Sequence, residues 1–486
     1  MSSKKITRRE LLKKGALVGS AIAASGRVFL AASQGLAASV DPAATKKFGA
    51  SLKGALILPG DKDYEAARRV WNWRYDRHPA MVARCASSED VRRSVEFART
   101  QDLRVAVRSG GHSFAGYSTC EAGIVIDLSR MKSVKLDPAK RIAHAEPGIR
   151  IAEFDNLTAP VGLAASLGVC PAVAIGGLTL GGGNGWLEGV YGTACDNLDS
   201  VELVTADGEL VRADSNERAD LFWATRGAGA NFGVATALDC RLHPVATIMF
   251  GSFEYQSSQV RPALRFLREF AARAPDPLVL FVELPGQWGS SGMELSVAYV
   301  GDPTAAEPLI KELRAATRPA SGEIQPTAYK DTVGTEAPPG GPFASHRTHG
   351  FFPQLSDTVI DGAIEAVATR PSKWTKLDFF FAHGARCRVD PSATAYSLRQ
   401  VGFECWAQAY WTDPKDAAKS VAWVDRFWKE NGIHSSGRVY VNYLEDEGEA
   451  RVRAAYGPNY DRLARLKRKY DPANFFRSNQ NIKPAA

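Results

Sequence analysis

Short apolar runs bounded by turn-forming residues dominate the chain, and segments of helical period separate them. Met81 to Cys85, Arg104 to Arg108 and Ile124 to Leu128 read as strands. Between the first two, Ser88-Glu89-Asp90-Val91 supplies a cap and early acids and opens a helix to about Gln101. Asp63 to Arg77 also has helical spacing and is broken by His78-Pro79. These elements predict a small α+β unit ending near residue 130. Residues 141–244 form a second block, rich in glycine. Val201 to Thr205, Asp207-Gly208 and Glu209 to Arg212 spell a hairpin. Asp220 to Arg226 reads as helix, and Gly233 to Leu242 as a strand ending at Pro244.

The pattern changes near residue 247. Phe250 to Gln256, Leu278 to Leu284, Met293 to Val300, Lys376 to Arg388 and Gly402 to Trp411 alternate as strands. Arg261 to Arg273, Ala305 to Ala315 and Asp416 to Asn431 have helical period, and Pro338 to Gly341 marks a loop. This block predicts an antiparallel sheet covered by helices. The tail adds a strand, Val439 to Tyr443, and a basic helix, Asp461 to Tyr470. No internal repeat is present.

Charge sharpens the division of the 486 residues. The net charge is +7, but seven cations against Glu10 within residues 1–38 account for six of those charges. The nearly neutral remainder gives no reason to expect nucleic acid as a partner. Thr7-Arg8-Arg9-Glu10-Leu11-Leu12-Lys13, followed by a weakly apolar stretch from Gly15 to Ala38, has the pattern of a twin-arginine signal peptide. The expected partner is the twin-arginine export machinery, and the expected destination is periplasmic or extracellular. Arg27 interrupts the stretch, so stable membrane insertion is not expected. Seven scattered cysteines with no C-x-x-C pair argue against zinc or thioredoxin-like chemistry.

Two glycine-rich stretches carry the candidate chemistry. In Val107-Arg108-Ser109-Gly110-Gly111-His112-Ser113 a strand ends in two glycines and a histidine. In Cys170-Pro171-Ala172-Val173-Ala174-Ile175-Gly176-Gly177 through Gly181-Gly182-Gly183-Asn184-Gly185, six of the ten residues 176–185 are glycine. Such backbone is suited to close approach by a flat or charged ligand. No Gly-Lys-Ser/Thr follows, so a P-loop is excluded. Gly227 to Gly233 has the wrong spacing for a dinucleotide fingerprint, and Gly111 to Gly116 lacks the hydrolase elbow.

Those two motifs, Tyr191-Gly192 with Asp196-Asn197, Arg226-Gly227 to Gly233, Tyr440-Val441-Asn442-Tyr443 and Asp471-Pro472-Ala473-Asn474-Phe475-Phe476 resemble the berberine-bridge-enzyme-like flavoproteins of the vanillyl-alcohol-oxidase superfamily. The resemblance covers about residues 65–245 and 435–484. It implies an α+β fold: a two-subdomain PCMH-type FAD-binding domain over residues 65–245, an antiparallel-sheet substrate domain over 246–435, and a segment over 436–486 that returns to the FAD domain. It implies FAD bound to His112 through the 8α carbon and to Cys170 through C6. Without it, His112 reads as a turn residue and Cys170 as a buried thiol. The implied FAD-contacting set includes Arg108, Ser109, Gly110, Gly111, Ser113, Val173, Gly176, Gly177, Gly181, Gly182, Gly183, Gly185, Tyr191, Asp196, Asn197, Gly233 and Asn442.

Tyr443 matches the family's catalytic tyrosine, which needs an environment that stabilises its phenolate to act as a base. The alternative is a packed strand tyrosine. Tyr440 shares its face only if the strand is bulged. The implied reaction moves hydride from an alcohol carbon of a sugar or secondary metabolite to FAD. Val173 resembles the oxygen-permissive type, so O2 is the expected acceptor and H2O2 the product. A dehydrogenase with another acceptor and a non-catalytic flavin-binding protein are the alternatives. Two places depart from the family: His383-Gly384-Ala385, where His383 is either an acid/base group or a satisfied structural residue, and Thr394 to Arg399. His346 and His349 show no acid partner in the sequence, and no metal site is expected.

Overall fold

The computed structural model describes residues 40–286, 292–334 and 343–486. The twin-arginine segment and the Pro338–Gly341 loop lie outside the described residues. Three sheets organise the rest. The first contains β1 (Ala55–Ile57), β2 (Met81–Arg84), β3 (Val105–Arg108) and β4 (Ile124–Asp127), in the order β1-β2-β4-β3. β4 runs parallel to both β2 and β3. Its strands are short and apolar because both faces are buried. The helix Ser88–Thr100 crosses between β2 and β3, and the Ser87 hydroxyl caps it by accepting from Asp90 N at 3.3 Å.

The second sheet holds β5 (Val134–Asp137), β6 (Ile142–Ala145), β7 (Leu163–Ala165), β8 (Leu198–Val204), β9 (Leu210–Asp214) and β10 (Val234–Pro244). Its order is β5-β6-β10-β8-β9, with β7 also on β10. Only two residues separate β10 from the third sheet, whose strands are β11 (Thr247–Tyr255), β12 (Leu278–Leu284), β13 (Met293–Tyr299), β14 (Ser321–Ala328), β15 (Ala344–Phe352), β16 (Lys376–Ala382) and β17 (Gly402–Trp411). They pair antiparallel in the order β14-β11-β13-β12-β16-β17-β15.

Period-two alternation splits the third sheet into two unlike faces. In β17, Phe403, Cys405, Ala407 and Ala409 join a core with helices Ser257–Ala271, Asp357–Ala368 and Ala417–Asn431. The intervening Glu404, Trp406, Gln408 and Tyr410 are equally buried but face inward, toward the first two sheets. A wholly buried strand that still alternates polar with apolar covers a site rather than solvent.

The tail folds back onto the second sheet's helices. Helix Tyr460–Tyr470 carries Lys467, which is fully buried. Its ammonium donates to Asn231 O (2.7 Å), Asp471 Oδ2 (2.7 Å) and Phe476 O (2.9 Å). Several elements differ from the sequence expectation. Asp63 to Arg77 is helical only over Tyr64–Arg68, because Arg68 is spent on Glu65 and Asp76 and the chain then turns toward the glycine loop. β16 ends at Ala382, and Ala385–Arg388 is a helical turn. The expected strand Val439 to Tyr443 is a 3-10 turn at Val441–Tyr443.

Candidate active site

The two glycine turns meet. Arg108 ends β3 with its guanidinium buried, donating from Nη2 to Asp127 Oδ2 at 2.6 Å and from Nη1 to Arg69 O at 3.2 Å. That anchor aims the following loop inward. Gly111 adopts φ +77°, which a side chain would strain, and its carbonyl accepts from Trp71 N at 3.0 Å. His112 then stacks on the Trp71 ring with centroids 5.7 Å apart. In the second turn Val173 N donates to Cys170 O at 3.3 Å, and Ile151 N donates to Val173 O at 2.9 Å. A Cβ on Gly110 would lie 2.7 Å from Ala174 N, so the turns touch with no room for a side chain.

Around this contact lies a cavity of about 720 Å³, within the range of small-molecule and cofactor sites. Ser109, Gly110, Gly111, His112, Ser113, Cys170, Val173, Gly176, Gly177, Gly181, Gly233, Tyr440, Asn442 and Tyr443 all line it. A Cβ on Gly177 would meet nothing within 4 Å. The buried Ser478 Oγ and Asn479 Oδ1 on the same wall have no hydrogen-bond partner among the described residues.

Eight of the expected site residues are not on the cavity wall. Arg108 orients the loop from behind. Gly182 packs between the Tyr396 and Tyr440 rings, and Gly183 N donates to Tyr440 Oη at 2.7 Å. A Cβ on Gly185 would stand 1.9 Å from Leu167 O. These three glycines admit protein rather than ligand. Tyr191 stacks on His243 at 3.7 Å, and Asn197 Nδ2 donates to Tyr191 O at 2.8 Å. Asp196 accepts from both terminal nitrogens of Arg399, at 2.7 and 2.6 Å. The segment is therefore a structural corner. His383 is corrected from a catalytic candidate to a satisfied core histidine: its Nε2 donates to Leu278 O at 2.6 Å and its ring stacks on Phe381.

Tyr440 and Tyr443 reach one side because a 3-10 turn, not a bulged strand, brings residues three apart together. Their rings meet edge-on at 4.8 Å. The Tyr440 hydroxyl accepts from Gly183 N and from Asn442 Nδ2 (2.8 Å), and its N–H donates to His349 Nδ1 at 3.0 Å. Tyr440 thus lines the cavity with its hydroxyl held by two protein donors. Tyr443 presents the other phenol to the cavity. Burial pushes its titration upward, Glu404 adds to this, and the Arg347 guanidinium opposes it.

Arg347, missed in the sequence, lies 3.7 Å from the Phe114 ring centroid and 5.3 Å from that of Tyr443, within cation–π range. Its Nε has no hydrogen-bond partner among the described residues. Behind Tyr443, His349 Nε2 donates to Glu404 Oε2 at 3.1 Å, and Glu404 Oε1 accepts from Asn184 Nδ2 at 3.0 Å. Arg386 joins Glu404 to Glu188. Burial lowers His349 titration, so the ring is neutral with its proton on Nε2. His346 bonds Glu445 at 2.8 Å. Both histidines thus have acid partners, contrary to the sequence expectation. Arg347 and Glu404 could have been sought at the polar positions that interrupt apolar alternation in β15 and β17.

Residues 79–214 match the FAD binding domain family, and residues 439–483 match the berberine and berberine-like family. The (R)-6-hydroxynicotine oxidase of Paenarthrobacter nicotinovorans is 31% identical over 460 residues, covering 89% of this chain and 97% of that protein. The chain belongs to the berberine-bridge-enzyme-like FAD-linked oxidoreductases. The xylooligosaccharide oxidase of Thermothelomyces thermophilus is 29% identical over 449 residues, covering 85% of this chain and 89% of that protein. The crystal structure of the 6-hydroxy-D-nicotine oxidase of Arthrobacter nicotinovorans superposes with a TM-score of 0.81 at 30% identity, covering 90% of this chain and 99% of that one. The α+β, PCMH-type fold of this family is therefore the fold of this chain, and FAD is its cofactor. The cavity suits FAD: the touching turns leave backbone exposed to a flat ring, Gly177 is open, and buried polar atoms await partners. Among the described residues no cluster of His, Cys, Asp or Glu is placed to hold a metal ion, and no helix is long and apolar enough to cross a membrane.

Proposed function

We propose that this protein is an FAD-dependent oxidase acting on an alcohol carbon of a sugar or secondary-metabolite type substrate, with FAD bonded covalently to His112 and Cys170. The observation that carries this reading is the meeting of the two glycine turns, which brings an imidazole and a thiol to the lining of the same cavity as Tyr443 and Arg347. His112 would take the 8α carbon and Cys170 the C6 position, each side chain supplying a nucleophile. When bound, FAD supplies the two-electron chemistry, taking hydride from the substrate carbon and returning the electrons to O2 as H2O2.

The chain's own residues hold the substrate and manage its proton. Tyr443 takes the proton from the substrate hydroxyl, and Arg347 stabilises the phenolate through the ring face. Glu404 and His349 fix the wall that bears Tyr440 and, through it, the turn that carries Tyr443. Val173, three residues after Cys170, resembles the oxygen-permissive type, which supports O2 as the acceptor. The N-terminal segment directs export by the twin-arginine machinery to the periplasm or the outside of the cell.

The test is Tyr443→Phe in single-turnover flavin reduction without air. Losing a general base lowers this rate about 10²–10⁴-fold. A reduction rate within twofold of the parent would remove Tyr443 from the role. Reoxidation in air, timed on the same sample, separates O2 from another acceptor.

A further inference from the structure

The two segments that depart from the family pattern, next to His383 and over Thr394 to Arg399, meet in the fold. Gly384, at φ +69°, turns the chain after β16 so closely against the helix Glu188–Tyr191 that a Cβ there would lie 2.3 Å from Gly189 O. The helical turn that follows carries Arg386 inward, fully buried. Its Nη1 donates to Glu188 Oε1 at 2.8 Å and its Nη2 to Tyr396 Oη at 2.7 Å, and it pairs with Glu404. Tyr396, in the second departing segment, donates from its N–H to Arg226 O at 2.9 Å, and its ring meets that of Tyr440 edge-on at 5.7 Å.

The charges of this cluster do not balance. Glu188 and Glu404 are both buried, and among the described residues Arg386 is the one cation paired with them. His349, the other partner of Glu404, is neutral, and the Arg451 and Glu447 that face it pair with each other. Glu188 Oε2 has no hydrogen-bond partner among the described residues. Burial pushes Glu188 up to about 7, with Arg386 opposing and Glu404 adding to this. Burial would raise Glu404 too, but Arg386 and His349 hold it below the usual carboxylate range. Tyr396 and the Cys387 thiol also face Glu188, and burial pushes both upward, so they stay neutral as it titrates. Above neutral pH the cluster therefore keeps one negative charge in excess. Apolar side chains often fill such a core equally well, so the charge needs an explanation of its own. It backs onto Tyr443, whose ring lies 5.4 Å from that of His349. Beyond burial, the charges acting on Tyr443 are Glu404, Arg347, Glu188 and Arg386. The two acids oppose loss of its proton, and the two guanidinium groups favour it.

We propose that Glu188 and Arg386 are positioning residues of the oxidation: Arg386 holds Glu404 and the Tyr396–Tyr440 contact in place behind Tyr443, and the charge left over on Glu188 sets how readily Tyr443 gives up its proton. Neither residue lines the cavity, so both act through others. This rests on the reading of Tyr443 as the base and deepens it.

The test is fluorine-19 magnetic resonance of the flavin-loaded protein with 3-fluorotyrosine in place of tyrosine, titrated from pH 6 to 11, with Tyr443→Phe identifying the resonance. In the parent, the Tyr443 resonance is expected to move in a small step near pH 7, where Glu188 ionises. Glu188→Gln is expected to abolish that step and to raise the ratio of phenolate to phenol at pH 11 about threefold, the equivalent of half a pH unit. Glu188→Asp, which retains the charge, is expected to keep the parent's ratio. A role confined to stability would lower the thermal midpoint of Glu188→Gln and leave the ratio unchanged, and that result overturns the inference. A parent resonance with no step near pH 7 overturns it equally and needs no variant. Flavin reduction by Tyr443→Phe, measured separately, reports on the base itself, so the two readings fail independently.

Discussion

Two glycines a few residues apart do opposite work. Gly177 opens onto the cavity, whereas a Cβ on Gly185 would stand 1.9 Å from a backbone oxygen. Gly177→Val is expected to fold with the parent's thermal midpoint and to retain less flavin, read from the ratio of visible to ultraviolet absorbance. Gly185→Ala is expected to lose stability by several kcal/mol, because backbone must move. Composition alone shows that residues 176–185 are unusual, not which glycines face ligand. The same limit applies to side chains. His112, Cys170 and Tyr443 sit in recognisable motifs, while Arg347 is one cation in a strand and acquires meaning only from the rings beneath it. If Tyr443 is the base, its raised titration makes turnover climb toward alkaline pH, since the phenolate is the active form. Arg347 lowers that titration, so Arg347→Met is expected to move the alkaline limb to higher pH. An unchanged limb would separate Arg347 from Tyr443.

The tail turn and β15 show what one element contributes to another. Glu445, two residues after Tyr443, accepts from Arg347 N at 3.0 Å and pairs with His346 at 2.8 Å. Arg74 and Asp425 also face this histidine. Burial would lower His346, but the Glu445 carboxylate outweighs it and raises the titration. A raised folded value means the contribution is complete below the unfolded value of about 6.5 and is lost as pH rises through the folded value. Urea midpoints are therefore expected to fall on the alkaline side of neutrality more in the parent than in His346→Gln. Equal slopes would show that the pair contributes nothing. Apolar periodicity identified the strands that pack on helices. It misread Val439 to Tyr443 because a 3-10 turn of aromatic residues has the composition of a strand. It also left β14 and β15 unassigned, since β14 is largely exposed and polar and β15 carries Arg347 and His349 on its inner face and His346 on the other.

At the scale of the molecule, the site exists because chain segments far apart in sequence converge. Turns after β3 and β7, the inner face of the third sheet and the C-terminal segment each form one wall. Lys467 joins the last of these to Asn231. Replacing it with Met leaves Asp471 buried without its cation, which costs about 3–5 kcal/mol. Lys467→Met is expected to release the tail and lower flavin retention together, measured by denaturant titration and absorbance. The fold class and the two glycine turns were readable from sequence, because turn chemistry and alternation are local. The cluster around Arg386 was not, because its members come together only in the assembled fold.

The most direct measurement is absorption and peptide mass after acid precipitation of the flavin-loaded protein. Flavin is expected to remain with the pellet, and digestion is expected to give a flavin-bearing species that contains both the His112 and the Cys170 peptides. Colour released wholly into the supernatant, with both peptides at their unmodified masses, would contradict the double attachment.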